Sequence, residues 1–387
     1  ATQAGEHKSG FELYYSSAYD RWVFNQYISD TPDSNAIRAM QAEGRTARGG
    51  EWTHLVGVHD TVANQLTLYV NGVEAGRATV SETWYAGGQV QIGAGSYEGA
   101  PDSFFPGQID EVKIFDRPVS ADEVRQLFKQ SPVIKGRWNF EEASSGTPKT
   151  SPDLSEEQNP MSLLGGAKLG AGMIGATGLE LDGVDDYAAT STVPIDTGAS
   201  FTVTAWAQGA AVPKGSAAVV SSEGTTQSAF TLRFVPDAKN PEGLGRWELA
   251  LPDEDIAKAS VKQMGNTEFY DARDWNHLAV VYDGFAKEAR LYVNGLLQEV
   301  ACADGDGNGE ADDGACEDLI AWADNVLTFK ATKSLQVGRA KTAGSWGEYF
   351  PGAVDDVWAF QGALNDVQVE KLAGSWFELP TEVPPSS

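Results

Sequence analysis

Residues 51–80 read EWTHLVGVHDTVANQLTLYVNGVEAGRATV, and residues 274–302 read DWNHLAVVYDGFAKEARLYVNGLLQEVAC. Both stretches open with Trp-x-His-Leu and continue to Tyr-Val-Asn-Gly, with the tryptophan and the asparagine 19 residues apart in each. Asn71-Gly72 and Asn294-Gly295 are flanked by apolar runs, which predicts a two-residue hairpin because both central residues of that turn need positive φ. The chain therefore contains an internal repeat of antiparallel strands.

Each copy of the repeat continues with a Phe-Pro-Gly strand and a short amphipathic helix. The strand reads FFPGQIDEVKIF at 104–115 and YFPGAVDDVWAF at 349–360, and the helix reads SADEVRQLF at 120–128 and LNDVQVEKLA at 364–373. Ser120 with Glu123, and Asn365 with Gln368, have the spacing of a capping box. In the first copy we also expect strands at FELYY, WVFNQY, HLVGVHD, QLTLYV, QVQIG and DEVKIF. These patterns predict an all-β protein of two antiparallel β-sandwich domains, each closed by one C-terminal helix.

The two copies differ in what precedes them. About 90 residues from Trp138 to Gln227 lead to SAFTLRF in the second copy, and the matching SGFELYY of the first copy has no such leader. A two-sheet fold cannot normally lose its leading strands and still bury both faces of its core. We therefore expect residues 1–131 to be the C-terminal half of a domain, 132–378 a complete domain, and 379–387 a Pro/Ser-rich linker. The missing strands would come from an N-terminal fragment or from another chain, or they would be absent altogether.

The charge of the chain excludes some classes of partner. Its 387 residues carry 55 acidic against 28 basic side chains, a formal net charge of −27. Nucleic acid and anionic membrane surfaces are polyanions that repel such a chain, and no apolar run is long enough to insert into a membrane. Divalent cations are natural partners of this much carboxylate. The alternative is that the acidity serves solubility alone.

The second copy carries an insertion, placed at residues 301–324, with the pattern of a calcium loop. Asp304, Asp306 and Asn308 occupy positions 1, 3 and 5 of an EF-hand-type loop, followed by glycine at position 6. The carbonyl of Glu310 would be the ligand at position 7 and Asp312 the one at position 9. The bidentate glutamate of position 12 is missing. The sequence predicts calcium here, and the alternative is a flexible acidic loop that no ion orders.

Cys302 and Cys316, the two cysteines of the chain, bracket this loop. A disulfide across such a span contributes roughly 3 kcal/mol in the chain-entropy model and would hold the repelling carboxylates together. It implies an oxidising compartment, so we expect a secreted, extracellular or cell-surface protein. Two reduced thiols are the alternative.

Exposed aromatics are the candidates for ligand contact, because sugar rings stack on aromatic faces and Trp and Tyr also anchor protein interfaces. Trp84 and Tyr85 in the first copy, and Trp346 and Tyr349 in the second, lie in Gly-rich loops beside strands. Core packing is the alternative for each of the four.

Catalytic motifs are missing from the sequence. His54 and His277 are equivalent repeat positions in strands, which favours packing over a role as general base. The dense carboxylates are Asp110 with Glu111 and the run Asp253-Glu254-Asp255, and neither has the strand signature of jelly-roll glycosidases. We therefore expect no enzyme activity.

Nearly the whole chain shows a family resemblance. The order WNFEE, DLSEEQN, LELDGVDDYA, FTVTAWA, WNHL, LYVNG, YFPGAVDDVWAF and a closing helix resembles the laminin G-like, concanavalin A-like jelly rolls of large bacterial secreted proteins. The first copy matches the second half of that order. The resemblance implies a sandwich of two curved antiparallel sheets that binds glycans or proteins.

The resemblance also implies a structural calcium ion at Asp153, Asn159 and Asp355. The alternative is that Asp355 and its neighbour Asp356 face solvent from an edge strand. Asp182, Asp185 and Asp186 in LDGVDDY suggest a metal as well, although a turn rich in Asp and Gly is the commoner explanation.

Three functions follow from these observations. The first is a non-catalytic extracellular binding module for a glycan or protein ligand, with structural calcium. The second is a purely structural spacer, and the third is an accessory domain pair of a glycoside hydrolase or a toxin-like protein.

Overall fold

A computed structural model describes residues 1–44, 49–80, 82–98, 100–237, 244–265, 270–297 and 321–374. The chain divides into two compact units, Ala1–Phe128 and Lys129–Ser387. Every strand pair in both units is antiparallel, and the described residues contain two helices. The predicted all-β class is therefore confirmed. Neither described helix is long and apolar enough to cross a bilayer.

The first unit is built from ten strands and one helix. The strands are Thr2–Ala4 (β1), Ser9–Ser16 (β2), Arg21–Tyr27 (β3), Ala36–Met40 (β4), Leu55–Asp60 (β5), Gln65–Val70 (β6), Val73–Thr79 (β7), Val90–Gln91 (β8), Gly95–Tyr97 (β9) and Ala100–Asp102 (β10), and the helix is Ala121–Phe128 (α1). One sheet has the order β4-β3-β2-β1-β8, a second has the order β5-β6-β7, and β9 and β10 form a separate pair.

The core of the first unit lies between its two larger sheets. Trp22, Phe24 and Ala39 from β3 and β4 pack with Leu66 and Leu68 from β6. Helix α1 covers the other side of the smaller sheet through Val124, which packs with Val58 and Tyr69. One sheet of the unit thus has only three strands.

The prediction of a Phe-Pro-Gly strand in the first copy is wrong. Residues 104–115 belong to no sheet of the described structure, and Phe104 and Ile114 are 73% and 64% exposed. The second unit gives the reason. There, the matching strand pairs with three strands that all come from residues 133–209, the stretch without a counterpart in the first copy.

The described residues of the second unit form twenty strands and one helix. The strands are Val133–Trp138 (β11), Lys149–Ser151 (β12), Met161–Leu164 (β13), Lys168–Ala171 (β14), Thr177–Asp182 (β15), Tyr187–Thr190 (β16), Phe201–Gly209 (β17), Ala217–Glu223 (β18), Ser228–Pro236 (β19), Leu244–Pro252 (β20), Val261–Gly265 (β21), Tyr270–Asp271 (β22), Asn276–Asp283 (β23), Glu288–Val293 (β24), Leu296–Leu297 (β25), Trp322–Ala323 (β26), Leu335–Val337 (β27), Ala340–Thr342 (β28), Ser345–Gly347 (β29) and Pro351–Gln361 (β30), and the helix is Asp366–Gly374 (α2).

Two nine-stranded sheets form the sandwich of the second unit. The first has the order β14-β15-β30-β17-β23-β24-β25, with β11 on β30 and β26 on β24, and the second has the order β12-β13-β16-β27-β18-β19-β20-β21, with β22 on β20. Trp138, Phe201, Phe230, Phe234 and Trp247 are among the buried side chains between them. Helix α2 packs against the outer face of the first sheet through Val369 and Leu372.

The local signals of the repeat are confirmed in both units. Asn71 and Asn294 have φ of 51° and 55°, and the glycines that follow them also have positive φ. The backbone N–H of Glu123 donates to Ser120 Oγ (3.2 Å), and that of Ser120 donates to Glu123 Oε2 (2.8 Å). Asn365 and Gln368 exchange the same pair of bonds. Both helices therefore begin with the predicted capping box.

Candidate ligand-binding site

In the second unit, two cationic side chains lie over the half-buried ring of Trp346, which belongs to the β28–β29 hairpin. The guanidinium carbon of Arg339 lies 3.7 Å from the centre of that ring and 3.2 Å from the centre of the Tyr187 ring. The ammonium of Lys341 lies 4.4 Å from the centre of the Trp346 ring. Cations over aromatic faces are attracted by the ring quadrupole. Trp346 is therefore fixed in place while part of it remains open to solvent.

A buried polar network supports this stack. Lys341 Nζ lies 2.5 Å from Glu223 Oε1, and Gln336 Nε2 donates to Glu223 Oε2 (3.1 Å). Arg339 Nε in turn donates to Gln336 Oε1 (3.0 Å). Burial acts to raise the pKa of Glu223, but the hydrogen bond and charge of Lys341 outweigh it and lower that pKa. Glu223 therefore anchors Lys341 directly and Arg339 through Gln336.

A second ionic network joins strand β19 to strand β20 and to the residue after the hairpin. Arg233 Nη2 lies 2.6 Å from Glu248 Oε1, and Arg233 Nη1 lies 2.8 Å from Glu348 Oε1. Arg246 Nη2 also contacts Glu248 Oε2 (3.0 Å). Burial raises the pKa of Glu348, although Arg233 acts in the opposite direction. The two carboxylates share one arginine, an arrangement that the sequence analysis missed because these residues lie far apart in the chain.

The LDGVDDY motif forms the turn that its composition predicts. Asp182 Oδ1 accepts the backbone N–H groups of Val184 (2.8 Å), Asp185 (3.3 Å) and Asp186 (3.4 Å). The turn leads directly into β16, whose first residue is Tyr187. The turn therefore directly precedes Tyr187 of the aromatic stack in the sequence. It also lies close to the residue before Arg339, since a β-carbon on Gly338 would lie 3.4 Å from the carbonyl oxygen of Asp186.

The calcium set of Asp153, Asn159 and Asp355 stays a prediction, and the structure gives each of these side chains a backbone partner. Asp153 accepts the backbone N–H groups of Arg137 and Asn159, and Asn159 Oδ1 accepts those of Ser191 and Thr192. Their oxygens serve as caps for the loops on which they lie.

Asp355 lies in the centre of its sheet, so the alternative that Asp355 and Asp356 face solvent from an edge strand is wrong. Both residues are buried in β30, and Asp355 Oδ2 accepts the N–H groups of Met173 and Ile174, each at 2.8 Å. Burial raises the pKa of Asp355 to about 7. Asp110, its counterpart in the first unit, is exposed and accepts the N–H of Glu111.

The predicted calcium loop lies outside the described residues. Cys302, Asp304, Asp306, Asn308, Glu310, Asp312 and Cys316 all fall between 297 and 321, so their pairing and ligation stay predictions. The linker predicted at 379–387 lies outside as well.

The remaining aromatic candidates differ in environment. The indole N–H of Trp84 donates to the carbonyl of Tyr27 (2.9 Å), whereas Tyr85 is 87% exposed. Tyr349 is half-buried next to Glu348. Trp84 thus has a packing role within the first unit, and Trp346 is the candidate aromatic that a polar network holds in place.

The candidate catalytic groups have structural partners. His277 is buried against Trp206 with ring centres 5.3 Å apart, and burial lowers the pKa of His277 to about 3. His54 lies 5.8 Å from Phe128 in the same way. Asp253 caps Ser260, and Asp255 accepts the N–H groups of residues 225–227.

A family model described as the concanavalin A-like lectin/glucanases superfamily matches residues 1–125 and 182–316, well over half of the chain. The chain belongs to this superfamily. That description covers both lectins and glucanases, so membership of the superfamily does not by itself decide between binding and hydrolysis. The comparison with curated proteins finds no match for the chain.

Several solved structures are similar to parts of this member of the superfamily. Domain 4 of AbnA, a GH43 extracellular arabinanase from Geobacillus stearothermophilus, in complex with arabinotriose, is 15% identical over 63% of this chain and 99% of that one, with a TM-score of 0.39. The botulinum neurotoxin serotype D binding domain is 13% identical over 64% of this chain and 52% of that one, with a TM-score of 0.40. The Ruminococcus gnavus IT-sialidase CBM40 bound to alpha2,3 sialyllactose is 15% identical over 45% of this chain and 82% of that one, with a TM-score of 0.32.

Proposed function

We propose that this chain is a non-catalytic extracellular module that binds a glycan at the surface around Trp346. The observation that carries the proposal is the stack of Tyr187, Arg339 and Trp346. A sugar that stacks on an already immobilised ring loses less free energy to the ordering of side chains. Arg339 and Lys341 are buried and are held by Gln336 and Glu223, so they fix the position of the ring. Membership of a superfamily that contains lectins supports the same function.

A glycan array tests this proposal. We expect the wild-type chain to bind a subset of glycans, and Trp346→Ala to abolish that binding while the far-UV circular dichroism spectrum is retained. Trp322→Ala is the matched control, because Trp322 is an exposed tryptophan of the same unit on β26. Binding that survives Trp346→Ala, or is lost equally in Trp322→Ala, would place the ligand elsewhere.

The array also separates the alternatives. If no glycan binds and the chain is folded, a protein ligand or the spacer function replaces our proposal. Release of reducing sugar from a polysaccharide by the purified chain would contradict the non-catalytic function. Glu248 and Glu348 are both ion-paired with Arg233, although burial raises the pKa of Glu348, and this assay tests whether the pair has any hydrolytic role.

We also propose that the 302–316 loop binds one calcium ion and is closed by a Cys302–Cys316 disulfide. The support is the sequence pattern alone. Calcium titration of the full chain should lose one binding equivalent in Asp304→Ala/Asp306→Ala. The intact mass should rise on alkylation only after reduction. An unchanged stoichiometry would exclude the loop as a calcium site, and alkylation without reductant would exclude the disulfide.

The exposed Phe-Pro-Gly segment of the first unit supports one further proposal, that residues 104–115 pair with strands supplied by an N-terminal fragment or another chain. In the second unit the matching β30 pairs with β11, β15 and β17. Unpaired strand edges readily accept another strand.

A fusion tests this complementation. A copy of residues 132–209 placed before Ala1 should protect the amides of residues 104–115 from hydrogen exchange. The same fusion with a scrambled Phe201–Gly209 should not. Equal exchange in both fusions would contradict the proposal.

A further inference from the structure

The hairpin that carries Trp346 has a counterpart in the first unit with the same backbone but different side chains. Residues 335–352, LQVGRAKTAGSWGEYFPG, align without a gap with residues 90–107, VQIGAGSYEGAPDSFFPG. The two short strands of the hairpin, β28–β29 and β9–β10, pair in the same register. Glu348 corresponds to Ser103, and both residues have a φ of 54°. The backbone of the hairpin therefore forms without a glutamate at this position.

Glu348 joins the end of the hairpin to two strands of the sheet. Its backbone carbonyl accepts the N–H of Ala218 on β18 (2.7 Å), and its Oε1 accepts a hydrogen bond from Arg233 Nη1 on β19 (2.8 Å). In the first unit, Ser103 is exposed and its Oγ donates to the neighbouring Asp102 Oδ2 (3.1 Å). The carboxylate of Glu348 thus adds a long-range ion pair to a turn that the first unit forms with serine.

The arginine bridge and the tryptophan occur in the same unit, and the first unit lacks all of these side chains. In the aligned repeat, the positions of Arg233, Glu248, Glu348 and Trp346 are occupied, in that order, by Tyr14, Val23, Ser103 and Pro101. Because the backbone is shared and these four side chains differ together, the bridge is a feature of the unit that presents the aromatic ring.

Glu348 has an energetic cost at its position. Its side chain is only 24% exposed, and its Oε2 is buried without a hydrogen-bond partner among the described residues. A positive φ also disfavours any residue with a β-carbon. Burial raises the pKa of Glu348, while the nearby Arg233 acts to lower it and Glu248 to raise it. Backbone strain and an unsatisfied buried oxygen together suggest a functional constraint on a residue.

We infer that Glu348 is a positioning residue for the ring of Trp346, an inference that rests on the proposed function of the surface around that ring. Glu348 follows Trp346 by two residues, so its bonds to β18 and β19 fix the strand on which the ring lies. Lys341, which is opposite Trp346 in the hairpin, holds the ring itself. Glu348 acts through Arg233, whose Nε and Nη2 bind Glu248. A ring that is already ordered lowers the entropic cost of ligand binding.

Fluorine NMR of the full chain labelled with 5-fluorotryptophan tests this inference without a ligand. The resonance of Trp346 is identified by its loss in Trp346→Phe. We expect one narrow resonance in the wild type and a broadened or divided one in Glu348→Ser, which introduces the residue that the first unit has at the same φ. Glu288→Ser is the matched control and should leave the resonance unchanged, because Glu288 has a similarly exposed carboxylate that pairs with Arg290 on β24.

Ligand affinity gives a second measurement. For a glycan that the wild type binds on the array, Glu348→Ser should raise the Kd about three- to tenfold, because the ring must then be ordered on binding, and Glu288→Ser should not change it. The wild-type affinity should also fall as the pH is lowered from about 7 to about 5, because Glu348 takes up a proton above the ordinary range of a glutamate and releases Arg233. Arg246 and Glu248 are the other charged groups of the bridge, and both remain in Glu348→Ser, so the difference between variant and wild type isolates Glu348.

The outcomes are distinct. An unchanged Trp346 resonance in Glu348→Ser, or a changed resonance with an unchanged Kd, overturns the inference. If Glu348→Ser does not fold, Glu348→Gln removes the charge with little change of shape and is judged by the same two results. If the wild type binds no glycan, the proposed function fails, and the resonance alone then decides whether Glu348 positions the ring.

Discussion

Asn294 and His277 are joined by two hydrogen bonds: the N–H of His277 donates to Asn294 Oδ1 (2.9 Å), and the N–H of Asn294 donates to the carbonyl of His277 (2.7 Å). Asn71 and His54 are joined in the same way, at 2.9 Å and 2.8 Å. The backbone of each asparagine thus has the positive φ of the turn, while its side chain bonds to the start of the strand that pairs with the one before the turn, β23 in the second unit and β5 in the first. This double role explains why the Trp-x-His-Leu and Asn-Gly motifs occur together at a fixed spacing.

Substitution of Asn294 separates these two roles. Asn294→Gly keeps the positive φ but loses the side-chain bonds, including the one to Asn276 Oδ1 (3.0 Å), and should lower the free energy of unfolding of the second unit by about 1–2 kcal/mol. Asn294→Ala should cost about 1 kcal/mol more because alanine is strained at positive φ. Urea unfolding measures both. Asn325→Gly, at an exposed position with φ of 52°, is the control and should be nearly neutral.

Removal of Arg233 should destabilise the second unit strongly. Arg233→Met leaves the buried Glu248 without its main partner, and loss of one member of a buried pair costs about 3–5 kcal/mol. The double substitution Arg233→Met/Glu248→Gln should recover part of this loss. Arg273→Met, which removes an exposed pair with Asp271, should cost less than about 1 kcal/mol. Equal losses for Arg233 and Arg273 in urea unfolding would contradict the structural role of the bridge.

The buried His277 should make the free energy of unfolding decrease as the pH falls. Its pKa falls from 6.5 to about 3 on folding because of burial, so the unfolded chain binds a proton between these values and the native chain does not. The stability that the neutral ring contributes is complete above pH 6.5 and is lost as the pH falls toward 3; at pH 5 the loss is about 2 kcal/mol. His277→Phe should remove this part of the pH dependence. The difference between variant and wild type at pH 7 and pH 5 isolates it, because other groups titrate alike in both.

Asp355 should have the opposite effect, so that the free energy of unfolding decreases as the pH rises. Burial raises its pKa from 3.8 to about 7 on folding, so the native chain holds a proton that the unfolded chain releases. The associated stability is complete below pH 3.8 and is lost as the pH rises through 7. Between pH 5 and pH 8 the wild type should therefore lose about 2–3 kcal/mol relative to Asp355→Asn. Parallel stability curves for the two proteins would show that Asp355 is ionised in the folded chain.

The sequence was sufficient where the structure depends on near neighbours. The two hairpins and the two capping boxes each involve residues a few positions apart, and all four are confirmed. The sequence was insufficient where the formation of a strand depends on partner strands from other parts of the chain. FFPGQIDEVKIF and YFPGAVDDVWAF carry the same pattern, yet only the second becomes a strand, because its partners β11, β15 and β17 are present.

The candidate site was predictable only in part. Trp346 was found because an aromatic residue in a Gly-rich loop is visible in the sequence. Glu223 was missed because strand register brings it to the site from a position 123 residues before Trp346, whereas Arg339 is only 7 residues before it and no sequence pattern marked it. Likewise, Asp186 could be placed in a turn from its neighbours, whereas its burial beside Gly166 depends on the packing of the adjacent loop.

The exposed segment 104–115 also has a consequence for how the protein behaves in solution. Phe104, Ile109, Val112 and Ile114 give it the apolar, β-prone composition of an aggregation-prone stretch. Charged residues interrupt it at Asp110, Glu111 and Lys113, where they act as gatekeepers against stacking of identical chains. A strand of another sequence can accommodate these charges more easily than a second copy of the same segment can. We therefore expect these charges to oppose self-association of segment 104–115.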